Sequence, residues 1–189
     1  MSDVLDMPDF ARHLVNLASP RLGAKTLSCS DDFFAPKERI LQDGEPVFIA
    51  DKFDDHGKWM DGWESRRRRG GGFDHLVIQL GTRGIIKGVD IDTRYFTGNY
   101  PPKASIEVAD GGHSSQPGEL AWRELLPETP LGPDSHHYVS ISDPEPATHL
   151  RLNIFPDGGV ARLRVYGEPL PDWTRLSIEE ISELSAIEN

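Results

Sequence analysis

The sequence predicts an all-β protein, an antiparallel β-sandwich with a short helical appendage at each end. Three observations carry that reading. Between residues 73 and 167, apolar and polar side chains alternate with period two in one segment after another. Glycine (18) and proline (15) are abundant and fall between those segments, which suits short strands and turns over long helices. No helix long enough for a crossover separates the strands, which argues against a parallel sheet.

Taken in order, residues 1–22 set Phe10, Leu14, Val15 and Leu17 at helical spacing before Ser19-Pro20 stops them. They predict a short helix or ordered arm. Ala24 to Ser30 reads as a strand, and a long connection then runs to about Arg69. It holds Pro46-Val47-Phe48-Ile49, patterned as a short strand, and an aromatic, charged segment from Phe53 to Trp63. A connection of this length points to function, and its aromatic side chains argue against disorder.

From Phe73 the strand signals are plain. Leu76, Ile78 and Leu80 share one face, and Gly88 to Phe96 sets Val89, Ile91, Thr93 and Tyr95 against Asp90, Asp92, Arg94 and Phe96. Ala104, Ile106 and Val108 form the next set, then Val139 and Ile141, then Leu150, Leu152 and Ile154. The turn Pro156-Asp157-Gly158-Gly159 returns the chain through Ala161, Leu163 and Val165. After a proline-rich exit, Ser177-Ile178-Glu179-Glu180 opens a capped helix with an apolar stripe of Ile181, Leu184 and Ile187. The expected division is an arm at 1–22, a sandwich domain at 23–168, and a linker with a terminal helix at 169–189 that leads towards a further unit.

Composition narrows the partners. A net charge of −11 opposes nucleic acid and anionic membrane over most of the surface, so any anion recognition is local. The single cysteine, Cys29, excludes an internal disulfide, suits a reducing compartment, and reads as a small buried apolar residue. The acidic N-terminus has no apolar signal core, and no apolar run reaches the ~18 residues of a membrane helix. A cytoplasmic protein is expected.

The chemistry concentrates between Gly57 and Tyr100. Arg66, Arg67, Arg68 and Arg69 offer guanidinium forks for carboxylate or phosphate, worth about 1.5–3 kcal/mol per charge-assisted bond. Extended alternation sends only half of them to one side, and a solvated basic run is the plainer alternative. Glu64 and Asp92 can act as acid, base or acceptor, or simply pair with arginines. The seven histidines show no metal-ligand spacing. Asp54-Asp55-His56 is a weak candidate; no metal site is assigned and a divalent metal stays open. Neither a phosphate-cradling loop nor a nucleophile signature is present.

The runs KWMDGWESRRRR, LGTRGIIKGVDIDTRYFTGNYPP and HLRLNIFPDGGVARLRVYG resemble the allantoicase (allantoate amidinohydrolase) family, and the likeness extends over residues 10–175. The resemblance implies two galactose-binding-like jelly-roll repeats in a chain of nearly twice this length, of which this one is similar to the first. It implies hydrolysis of allantoate to ureidoglycolate and urea in purine catabolism. The terminal helix with its apolar stripe suggests a neighbour, either in a homo-oligomer or as a second repeat. Allantoate needs a cationic fork for its carboxylate, supplied by Arg67 with Arg66 or Arg69, and groups for its ureido arms, supplied by Thr93 and Asn99 beside Trp63. Glu64 or Asp92 would handle protons. Ser65 stands where the family pattern has threonine; either hydroxyl serves. From the residues alone, a non-catalytic small-ligand or carbohydrate-binding sandwich remains the alternative.

Overall fold

The computed structural model describes residues 7–112 and 116–170; the helix expected from Ser177 lies outside them. In chain order the elements are α1 (Asp9–His13), β1 (Val15–Asn16), β2 (Lys25–Cys29), β3 (Phe53–Asp54), β4 (Gly57–Lys58), β5 (Trp63–Glu64), β6 (Asp74–Asp92), β7 (Lys103–Ala109), β8 (Arg123–Pro130), β9 (Tyr138–Ser140), β10 (Ala147–Phe155), β11 (Gly159–Val160) and β12 (Arg162–Pro169). All named pairings are antiparallel.

One strand belongs to both layers of the sandwich. The first half of β6 pairs β2 on one edge and β10 on the other, and the ladder continues through β7 to β8. Its second half pairs β12 and β9, with β1 beyond β12. The exchange falls at Gly84, which registers with Ala147 on β10 and with Pro169 on β12. A Cβ there would lie 2.8 Å from the Glu168 carbonyl and from a Leu17 methyl, so only glycine lets the two layers close at this corner. The segments His75–Leu80 and Gly88–Phe96, two strands by pattern, are therefore one 19-residue strand.

Period-two patterning builds the core as the sequence implies. Ile78, Leu150 and Val108 form one row across three strands, and Leu76, Leu152 and Ile106 the next. From the other layer Ile91 faces Leu163 and Val89 faces Val165, and all these residues share one buried cluster. Cys29 packs against it half-buried; burial first, then Asp32, pushes its thiol up to about 11 and keeps it protonated.

Several local expectations change. The helix at the N-terminus is only one turn and a half, because Val15 and Asn16 leave it to pair with β12 and Leu17 enters the core. Pro46–Ile49 forms no strand; Val47, Phe48 and Ile49 stay exposed. Strand β8 has no clear alternation and two prolines, which a sheet edge with bulged register tolerates. Tyr95 has φ 68°, so the alternation stops at Asp92 and Phe96, not Tyr95, turns inward. No helix among the described residues is long and apolar enough to cross a membrane.

The long connection is fastened to the sandwich by Arg162, which is 1% exposed. Its Nε donates to the Gly44 carbonyl, Nη1 to the carbonyls of Asp61 and Ala161, and Nη2 to Gln42 Oε1 and to Asp61 Oδ2 at 2.8 Å. All five guanidinium donors are thereby used. Removing one partner of a buried pair leaves the other charge uncompensated, at about 3–5 kcal/mol. Arg162→Met is expected to lower the unfolding free energy by about that amount in urea titration, whereas Arg21→Met, whose partner Asp43 sits at the surface, is expected to change it by under about 1 kcal/mol.

Candidate functional site

A cleft of about 440 Å³ opens at one end of the sandwich, where β5, the turn after β6 and the turn between β10 and β11 meet. Glu64 comes from β5, Arg67 and Arg68 from the segment after it, Asn99 and Tyr100 from the second, and Asp157 and Gly158 from the third. The backbone locks these loops together. β11 pairs β5 at Gly159–Glu64 and Val160–Trp63, Gly159 N donates to the Asn99 carbonyl at 2.7 Å, and Ser65 N donates to the Gly158 carbonyl at 3.1 Å. Gly158 has φ 135°, and a Cβ would fall 2.6 Å from the Asn99 carbonyl, so glycine is required where the turns touch. Ser65 Oγ accepts from Gly158 N at 3.3 Å, a role a threonine would also fill.

Glu64 is the titratable centre of the cleft. Burial raises its pKa above the ordinary glutamate value, the Asp54 charge on the β3–β4 hairpin adds to that, and Asn99 Nδ2, donating at 2.7 Å to Oε1, works against it. A carboxyl with its pKa raised by burial and held by a single amide suits proton transfer.

The four arginines divide. Arg66 is bound to Asp31 through its backbone N–H at 2.9 Å and its guanidinium at 2.6 Å, and lies over the Phe33 ring. Arg68, the one of the four not assigned to the substrate from sequence, donates from its backbone to Asp157 and from Nη1 to the buried Asp74, each at 2.7 Å, and from Nε to the Gly71 carbonyl at 3.1 Å. Arg67 faces the cleft with no hydrogen bond or ion pair in the described structure. Arg69 lies in a separate groove alongside.

The remaining candidates lie elsewhere. Trp63 is fully buried and donates its indole N–H to the Asp31 carbonyl. Thr93 is fully buried and donates to the Gly132 carbonyl at 2.7 Å. Asp92 is also fully buried, with both oxygens taken by Arg94 and with Arg164 at 3.7 Å. It belongs to an interior charge network. Asp90 accepts from or pairs with His136 Nδ1 at 2.8 Å, and that contact raises the His136 pKa against the effect of burial. Glu45, Asp92 and His136 bring possible metal-ligand atoms within 4.8 Å of one another. The donor set does not fit a cation, however, because Arg94 and Arg164 already occupy both carboxylates. His56 lies tilted against the Phe33 ring, and among the described residues it belongs to no group of metal-ligand atoms.

Residues 15–170 match the family described as the allantoicase repeat. The chain is 54% identical over 182 residues to a probable allantoicase 2 of Burkholderia mallei, covering 96% of this chain and 54% of that protein. It is 52% identical over 178 residues to a probable allantoicase of Pseudomonas aeruginosa, covering 94% and 54%. The chain thus spans about half the length of the curated relatives it matches. A solved structure of allantoicase superposes with TM-score 0.75 at 30% identity, over 90% of this chain and 54% of that one. A carbohydrate-binding module from a Clostridium perfringens glycoside hydrolase superposes with TM-score 0.57 at 12% identity, over 86% and 99%, which shows the sandwich fold alone.

Because Asn99 stabilises the charged form of Glu64, Asn99→Ala is expected to raise the Glu64 pKa further, read by carboxyl-carbon NMR titration. The sign carries to stability. Its folded pKa being above the unfolded one, Glu64 contributes stability at acid pH that is lost as pH rises through the folded pKa, and Glu64→Gln is expected to remove that loss.

Proposed function

This chain belongs to the allantoicase family, and from that premise we propose that it supplies one repeat of an enzyme that hydrolyses allantoate to ureidoglycolate and urea in purine catabolism. Glu64, Asn99 and Arg67 would form the reactive end of its cleft. The observation that carries the reading is their convergence. A glutamate with a raised pKa, held by one amide, shares a cleft with a guanidinium that has nothing else to bind.

Allantoate carries a carboxylate and two neutral ureido groups on one carbon. Arg67 takes the carboxylate as a fork, and Asn99 orients the ureido arm beside Glu64. Glu64 removes a proton from the attacking water and returns it to the departing nitrogen. The C–N bond to that ureido group breaks, the water oxygen stays on the central carbon as hydroxyl, and urea leaves with the proton. Holding the reactants in register lowers the barrier without further groups. Asp92, Thr93 and Trp63 act from the interior by fixing the strands that carry the cleft. The lining, with Glu64, Arg67, Arg68 and Asp157, suits a small charged ligand better than a neutral sugar.

The test is urea release on adding allantoate, with calorimetric binding of allantoate alongside it. Arg67→Ala is expected to lower kcat/KM by roughly 10- to 100-fold, about 1.5–3 kcal/mol. Glu64→Gln is expected to lower kcat by at least about 100-fold with a smaller change in KM. The acid limb of kcat should lie above the ordinary glutamate range and vanish in that variant. A chain that neither releases urea nor binds allantoate would overturn the reading.

A further inference from the structure

Beside the cleft, and sharing Arg67 and Arg68 with it, lies a groove of about 290 Å³ lined by Asp31, Arg66 to Arg69, Gly70, Gly71 and Asp74. Glu64 and Asn99 do not reach it. Four guanidinium groups and two carboxylates give it a formal charge of 4 − 2 = +2, in a chain whose net charge is −11. Gly71 and Gly72, at φ 74° and 86°, turn the backbone so that the Gly71 carbonyl caps Arg68 Nε and closes one wall.

The pairing inside the groove is selective. Asp31 is spent on Arg66 and Asp74 on Arg68, leaving Arg67 and Arg69 as the surplus. Every other described arginine has a hydrogen-bond, ion-pair or ring partner, although the chain holds 31 acidic residues against 20 basic ones. In a solvated basic run the guanidinium groups would find acids at random. Here two are clamped, and the two between and beside them are presented together, unpaired, on one concave surface. That arrangement matches an anion of two charges, which a pair of forks binds far better than a single charge.

We propose that this groove is a second anion site, taking a small doubly charged oxyanion of the hydrogen phosphate class between Arg67 and Arg69. Because Arg67 also faces the cleft, an anion in the groove draws its guanidinium away from the carboxylate of the substrate. The site thus competes with substrate for one side chain. This consequence rests on the proposed function; the binding itself does not.

The experiment is an amide NMR titration of the full chain with sodium hydrogen phosphate, against sodium chloride and sodium acetate at matched ionic strength. Saturable shifts confined to the amides of Arg67 to Gly72 are expected with phosphate. Affinity should be at least about ten-fold weaker for acetate, and about ten-fold weaker for phosphate in Arg69→Ala. Shifts that chloride reproduces, equal affinity for acetate, or an Arg69→Ala titration identical to wild type would each overturn the site. In turnover assays phosphate is expected to raise the KM for allantoate without lowering kcat, and a fall in kcat at constant KM would overturn the sharing of Arg67. If allantoate is not a substrate at all, the titration still decides the anion site on its own.

Discussion

The fold and the cleft hang on one guanidinium. Arg162 opens β12 one residue beyond β11, and β11 is the strand that pairs with Trp63 and Glu64. Its five bonds gather Gln42, Gly44 and Asp61 onto the sandwich, so the long connection is held at the point from which it enters the cleft. Desolvating such a charge costs several kcal/mol, and the return comes only from complete pairing. A hydrophobic residue there would fill space but would not specify where a loop without regular structure must lie. Segment 157–162 therefore lines the cleft, positions its glutamate and anchors its far wall.

The sheet was legible wherever one face is buried and the other polar, because register then has only one answer. Leu76, Ile78, Leu80, Leu150, Leu152 and Ile154 all point inward as their alternation implies. What the pattern hid is continuity. His75–Leu80 and Gly88–Phe96 stand apart in the pattern, yet Gly81 and Gly84 between them belong to one strand that serves both layers. Edge strand β8 was silent because only one of its side chains, Leu126, is buried, and a mostly unburied strand leaves little periodicity.

Of the candidate site, Glu64, Arg67 and Asn99 converge, while Asp92 and Thr93 do not join them. Asp90 and Asp92 share a face as their parity implies, and Asp92 pairs with Arg94 as the plainer alternative has it; what the alternation does not show is that both are buried. Both face β12, where Arg162 registers with Asp92 and Arg164 with Asp90, and the loop carrying Glu45 closes over them. Two acids on one strand opposite two arginines on its neighbour signal an interior network. That signal exists in the sequence only if the pairing of the two strands is known, since their residues are some seventy positions apart.

The arginine segment shows the same lesson from the other side. Its composition says only that positive charge is concentrated there; which charges are available depends on acids brought in by distant strands. Asp31 lies just past β2 and Asp74 opens β6, and these strands pair, so their ends converge under the segment. Alternation along an extended backbone then gives Arg66 and Arg68 to the acids and leaves Arg67 and Arg69 unpaired. The sheet thus sorts four chemically identical side chains into two that hold the loop and two that can meet a ligand. It does so through the placement of two carboxylates that never touch the ligand themselves.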